Sequence, residues 1–161
     1  MPAKIKKRFT ALLLTEKVKP RFFKIIKATI KSKIIDFLEK GISPVNQRTA
    51  KIKNTGGKNR FVQYSDSYKG AIDKKQVGDS KRKRPINLKV TGKLHRSIKV
   101  RKNKDSVSVW FTDEKAKYHD RLGAGKSKII RRLLPKTGER WATNIEKLIT
   151  SALEKAIRLS K

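Results

Sequence analysis

The sequence predicts an α+β domain, in which a small antiparallel sheet of three to four strands is flanked by an N-terminal and a C-terminal amphipathic helix and carries long basic loops. Three observations predict this class. Apolar residues recur at helical spacing near both ends of the chain, they alternate with polar residues in the middle, and Gly- or Lys-rich stretches separate these segments. Such helices and a half-apolar sheet bury their apolar faces against each other. We therefore expect a basic N-terminal arm over residues 1–19 and a single domain over residues 20–161.

The first helix is expected at residues 20–40. Pro20 suits the first turn of a helix, because its missing N–H would have no partner there. Gly41 favours termination after the last apolar position, and Pro44 prevents the helix from continuing. The apolar residues that mark one face of this helix are Phe22, Ile26, Ile30, Ile34, Phe37 and Leu38.

Two basic loops and a strand are expected next. Residues 42–63 contain five basic residues and no acidic residue, and residues 73–85 end in a run of four basic residues followed by Pro85. Both segments are therefore predicted to be exposed loops. Residues 64–72 have the pattern of one short helical turn. Over residues 86–90 apolar and polar residues alternate, which predicts a half-buried strand.

A β-hairpin is expected around the polar turn at residues 103–105, because alternating segments flank that turn. One face of the hairpin is apolar, and the other face carries Lys and Arg on its first strand. The positions on the apolar face are Ile98, Val100, Val107, Val109 and Phe111, and those on the other face include Lys99, Arg101 and Trp110.

The last helix has the clearest helical pattern in the chain. Before it, residues 129–134 are predicted to form a further short strand that ends at Pro135. Thr137 is the expected N-cap, and Glu139 is expected in the first helical turn. The stripe that should face the core consists of Trp141, Ile145, Leu148, Ile149, Ala152, Ala156 and Leu159. Trp141 is therefore predicted to be a core residue rather than a platform for stacking bases.

The charge of the chain is extreme, since 44 Lys and Arg against 13 Asp and Glu give a net charge of +31 and a pI near 10.8. Self-repulsion on this scale opposes compact folding, so we expect a polyanionic neighbour, and nucleic acid is the commonest one. A compositional bias toward lysine is the alternative explanation. The candidates for phosphate contact are Lys81, Arg82, Lys83, Arg84, Lys99 and Arg101. These residues would contact the sugar–phosphate backbone of the nucleic acid, because no base-reading motif is present. The alternative for the basic run at residues 81–84 is a solvated loop without a ligand.

Trp110 lies on the hairpin face opposite to the apolar one. This position places it either in a second packing layer or at an interface between subunits, and we favour the interface. Phe9, Leu12 and Leu13 of the amphipathic N-terminal arm are the other candidates for that interface.

The residue types of catalytic and metal sites are sparse. The chain has no cysteine, its two histidines are not at ligand spacing with carboxylates, and its acidic residues are scattered singly. Residues 123–127 resemble the end of a phosphate-binding loop, but Asp120 stands where that motif needs glycine, and a polar segment precedes it instead of a buried strand. We therefore expect no enzymatic activity, no cofactor and no metal. No apolar run approaches the roughly 20 residues of a membrane helix.

Four segments, taken together, carry a resemblance to a known family. They are residues 41–45 (GISPV), residues 60–68 (RFVQYSDSY), residues 85–94 (PINLKVTGKL), and the YHD sequence at 118–120 that is followed by a Gly-rich turn and by residues 131–135 (RRLLP). In their order and spacing they resemble the tailed-phage virion morphogenesis proteins, which are small neck or tail-completion proteins of the head–tail junction.

The resemblance implies a non-enzymatic ring subunit, with a hexamer favoured over a dodecamer, that surrounds the DNA channel in the neck of a virion. The implied partners are copies of the same chain, the adjacent connector or head-completion and tail proteins, and packaged DNA in non-specific contact. The protein would be made in the cytoplasm of the bacterial host. The charge of +31 departs from the family as a whole. Two alternatives remain: a free basic nucleic-acid-binding protein, either architectural or ribosome-associated, and a toxin or nuclease with a diffuse active site.

Overall fold

The computed structural model describes residues 6–10, 15–50, 60–61, 92–104, 106–123 and 128–161, and within them the chain has a mixed α+β fold, as predicted. The strands are β1 (Lys6–Thr10), β2 (Ile98–Lys102) and β3 (Ser106–Phe111). The helices are α1 (Val18–Glu39), α2 (Gln47–Ala50), α3 (Lys93–Arg96), α4 (Lys115–Lys117), which runs into a π-helical turn at Tyr118–Leu122, and α5 (Thr143–Arg158).

Helix α1 confirms the predicted first helix and its apolar face. It ends in a Schellman motif, in which the Gly41 N–H donates to the Leu38 carbonyl (3.0 Å) and the Ile42 N–H donates to the Phe37 carbonyl (2.9 Å). Glycine is required at this point because its φ of 68° lies in the left-handed region. The buried residues of α1 are Phe22, Phe23, Ile26, Ile30, Ile34, Phe37 and Leu38.

The sheet has the order β1–β3–β2 with both pairs antiparallel. The hairpin β2–β3 is confirmed, with Ile98 opposite Phe111. Strand β1 comes from the segment expected to be an N-terminal arm, and it pairs with the other edge of β3 so that Phe9 lies opposite Val107.

The prediction of three to four strands is not confirmed, because only the two strands of the hairpin, β2 and β3, are at predicted positions. The strand expected at residues 86–90 and the helical turn expected at residues 64–72 lie outside the described residues. Residues 129–134 do not form a strand. The physical reason is that the N–H groups of Leu133 and Leu134 donate to the Asp120 carboxylate (2.6 and 3.1 Å) and not to a neighbouring strand.

Helix α1 packs against both the hairpin and α5, so a single core joins the two layers. On α5, Ile145, Ala152 and Ala156 are buried, and Trp141, just before the helix, is buried as predicted. The placement of Leu159 on the buried stripe was wrong, since its side chain is 57% exposed beyond the last residue of α5.

The start of α5 also differs from the prediction. Ala142 is the residue at the N-cap, and its carbonyl accepts the N–H groups of Ile145 (2.8 Å) and Glu146 (3.1 Å). Thr137 is therefore too far upstream to cap the helix, and Glu139 lies outside its first turn. None of the helices in the described part of the chain is both long and apolar enough to cross a membrane.

Candidate nucleic-acid interface

One face of the hairpin carries the described part of the predicted cationic surface. Lys99 and Arg101 are exposed on β2, and they alternate with the buried Ile98 and the half-buried Val100. Successive side chains of a strand point to opposite faces, so the two cations share one face and lie about 7 Å apart. We call Lys99, Arg101, Ser108 and Trp110 the cationic sheet face.

The register places Trp110 directly beside these cations. Lys99 is the cross-strand partner of Trp110, and Arg101 is the partner of Ser108. Residues opposite each other in an antiparallel pair occupy the same face of the sheet. Trp110 is half-buried, whereas Ser108 is only 1% exposed. The face therefore combines two solvated cations with the accessible part of an aromatic ring, which is the combination that suits a nucleic-acid strand.

The other neighbour of β3 adds basic residues to the same rows. In the β1–β3 register Lys6 lies opposite Trp110, and Arg8 lies opposite Ser108. In both of these rows, those of Ser108 and Trp110, the β3 residue is therefore paired with a basic residue on either side. Lys99 was predicted to contact phosphate and Trp110 to lie at a subunit interface, and in the structure these two residues are neighbours.

The remaining predicted site residues are not brought to this face by the described structure. Lys81, Arg82, Lys83 and Arg84, which were predicted to contact phosphate, lie outside the described residues, as do Leu12 and Leu13. Phe9 is described only by its pairing with Val107. The cationic sheet face consequently rests on the hairpin residues.

A second cluster of charged residues is buried, and it was not predicted from the sequence. Asp120 and Arg132 are both buried, with side chains that are 1% and 4% exposed. Arg132 donates from Nη1 to the Asp120 carboxylate (3.1 Å) and to the Asp120 carbonyl (2.8 Å), and from Nη2 to the Leu134 carbonyl (3.1 Å) and to Glu139. We call Asp120, Arg132 and Glu139 the buried ion cluster.

The buried ion cluster joins parts of the chain that are distant in sequence. The Ser43 hydroxyl, just after α1, donates to the Arg132 carbonyl (2.8 Å) and accepts the Val45 N–H (3.1 Å). Val45 in turn forms a β-bridge with Trp141. The sequence did contain a signal for this cluster, namely an Arg pair set between two apolar pairs in residues 129–134, but an acidic partner cannot be assigned from that signal alone.

Burial sets the titration of two adjacent groups in this region. It raises the pKa of Asp120, and Arg132, the N–H groups of Leu133 and Leu134, and Arg121 oppose that rise. Burial is also the main cause that lowers the pKa of His119 to about 4, with Arg131 and Lys115 acting in the same direction and Asp113 opposing them.

The depressed pKa of His119 predicts a loss of stability in mild acid. Below pH 6.5 the unfolded chain binds a proton that the folded chain accepts only near pH 4, so the free energy of unfolding falls across that interval. Because the imidazole is partly exposed, we discount the effect to about 1–2 kcal/mol between pH 7.5 and pH 4.5. Urea denaturation of the parent and of His119→Gln at both pH values measures it. Equal pH dependence in the two proteins would contradict this assignment.

The remaining motifs give no sign of a catalytic site among the described residues. Gly123 follows the π-helical turn, whereas a phosphate-binding loop follows a strand. Residues 124–127 of that segment lie outside the described residues. Within the described ranges no group of three or more His, Cys, Asp or Glu side chains is placed to hold a metal ion.

Comparison of the chain with protein-family models, with curated proteins and with solved structures finds no match.

Proposed function

We propose that this protein is a non-enzymatic structural subunit of a tailed-phage head–tail junction, which assembles as a ring around the DNA channel. The observation that carries the proposal is the contact between two of the four segments behind the resemblance, residues 41–45 and the segment that contains residues 118–120 and 131–135. Ser43 comes from residues 41–45, Asp120 from the YHD sequence and Arg132 from residues 131–135, and the three are linked by hydrogen bonds. This contact supports the proposal, because segments that define one fold are expected to pack against each other.

The charge of the chain supports a position beside DNA. A ring repeats the same surface at every subunit, so the potentials of the repeated cationic sheet faces add up. Lys99 and Arg101 are solvated and would remain free to meet phosphates, while Trp110 offers apolar surface for a neighbouring subunit. In this proposal the protein acts in the virion, is made in the cytoplasm of the bacterial host, and contacts connector and tail proteins above and below the ring.

A free basic nucleic-acid-binding protein is the second candidate. The proximity of Lys99 and Arg101 to a half-buried Trp110 favours it, because cations beside an aromatic ring bind single-stranded nucleic acid without any need for assembly. The two candidates differ in oligomeric state rather than in surface chemistry.

Negative-stain electron microscopy and mass photometry of the purified protein, with and without duplex DNA, test the proposal. We expect closed rings with an axial opening, and a hexamer as the main species. A protein that stays monomeric over the whole concentration range while it binds DNA would refute the ring and favour the free binder. Degradation of the DNA on addition of a divalent metal would refute the non-enzymatic part of the proposal.

A further inference from the structure

Helix α1 carries a one-sided set of lysines that the proposed function does not use. Lys24, Lys27 and Lys31 recur at positions i, i+3 and i+7, which brings them to the same side of the helix. Lys24 and Lys27 are exposed and Lys31 is half-exposed. We call these three residues the lysine stripe. The buried apolar side of α1 anchors the helix to the core, so the stripe is mounted on a rigid element.

The lysine stripe has no acidic neighbour that neutralises it among the residues that the structure describes. Within the described part of the chain no carboxylate forms a salt bridge with any of its three members, and α1 has no acidic residue before Asp36. Three other lysines in or next to α1 do have ion-pair partners: Lys19 pairs with Glu16 (2.9 Å), and Lys33 and Lys40 pair with Asp36 (3.8 and 2.6 Å).

Mutual repulsion among these three lysines lowers the stability of the protein when no partner is bound. Like charges one helical turn apart destabilise a helix by a few tenths of a kcal/mol per pair. An anionic partner lying along α1 would convert that repulsion into attraction. The stripe extends for about 10 Å along the helix axis, and an equal length of duplex carries about six phosphates.

The chemistry of the stripe favours a duplex over a single strand. Single strands are held by bases that stack on accessible aromatic rings. The aromatic residues of α1 are Phe22, Phe23 and Phe37, and all three are buried. The stripe therefore presents point charges only. We propose that the lysine stripe binds the sugar–phosphate backbone of a double-stranded nucleic acid, as a second contact surface separate from the cationic sheet face.

The test compares two triple variants that lose the same charge. The first, K24Q/K27Q/K31Q, removes the lysine stripe, and the second, K19Q/K33Q/K40Q, removes the three ion-paired lysines. Gln has nearly the helix propensity of Lys, so α1 should persist in both variants. Fluorescence anisotropy with a labelled 20-base-pair DNA duplex gives the Kd over a range of NaCl concentrations, and circular dichroism checks the fold.

We expect loss of the stripe to lower the slope of log Kd against log salt by about 2.7, which corresponds to three phosphate contacts, and to raise the Kd at 0.1 M NaCl at least about thirtyfold. The ion-paired variant should keep nearly the parent slope. Lys27→Gln alone should lower the slope by about 0.9. This single variant tests the inference if the triple variant does not fold.

Three outcomes would overturn the inference: unchanged affinity of the stripe variant, an equal loss of affinity in both triple variants, and a loss confined to a single-stranded probe of the same sequence. The first removes the site, the second indicates a general charge effect, and the third indicates a different ligand. Ring assembly of the same samples is followed separately, so a failure of this inference is distinguishable from a failure of the proposed ring.

Discussion

Arg132→Leu is expected to lower the free energy of unfolding by about 3–5 kcal/mol, because removing one member of a buried ion pair leaves the opposite charge uncompensated. Asp120 would keep only the more exposed Arg121 (3.5 Å) as an ion-pair partner, and Glu139 and the Leu134 carbonyl would lose their guanidinium donor. Urea denaturation followed by circular dichroism measures the change.

Arg140→Leu is the matched control for this variant. The Arg140 side chain is 66% exposed and pairs with Glu146 (2.9 Å), so its loss should cost at most about 1 kcal/mol. Adding Asp120→Asn to Arg132→Leu should recover part of the lost stability, since the uncompensated charge disappears. If Arg132→Leu were no more destabilising than Arg140→Leu, the buried ion cluster would not be an anchor of the fold.

Ile145→Asp is expected to prevent folding. Ile145 is fully buried on the side of α5 that packs against the core, and an unpaired carboxylate there costs several kcal/mol, roughly the whole stability of a domain of this size. We expect the variant to lack a cooperative unfolding transition and to lose near-ultraviolet circular dichroism.

Leu159→Asp is the control, because it shows whether burial in the structure or membership of the apolar sequence stripe determines the damage. Both residues lie on the apolar stripe of the sequence, but Leu159 is 57% exposed, so its replacement should cost less than about 1 kcal/mol. Equal damage from the two substitutions would mean that Leu159 is packed and that the end of α5 is wrongly placed.

The elements that were predicted correctly are those whose signal is local. The period of the apolar residues marks α1 and α5, and the alternation on either side of a polar turn marks the hairpin. The end of α1 at Gly41 was also predictable, because the residue that follows a helix often adopts a left-handed backbone, which glycine accepts without strain. Leu159 was predicted wrongly because the apolar period continues past the last residue of α5, to a side chain that is 57% exposed.

The features that escaped prediction depend on partners far away in the chain. Strand β1 requires an unpaired edge of β3, which the N-terminal segment cannot reveal by itself. Residues 129–134 have the composition of a strand, but Asp120 takes the N–H groups that a strand would use. Propensity was overridden here by one buried carboxylate.

The cationic sheet face and the lysine stripe also combine features that the local sequence predicts with features that depend on distant partners. The exposure of Lys99 and Arg101 followed from alternation, and the position of Trp110 beside Lys99 follows from the register of the hairpin. The lysine stripe was visible as sequence, but its significance depends on which lysines have acidic partners. Among the described residues Lys33 has an acidic partner and Lys31 has none, although the two lysines are only two positions apart.

The contact between α1 and α5 has a consequence for biosynthesis. A ribosome makes α1 (Val18–Glu39) well before α5 (Thr143–Arg158), the helix against which it packs. During translation α1 therefore emerges with its phenylalanines and isoleucines not yet covered by α5, and they gain that partner only after the whole intervening segment has been made. In the meantime the nascent chain is a natural client for the chaperones that shield apolar surface.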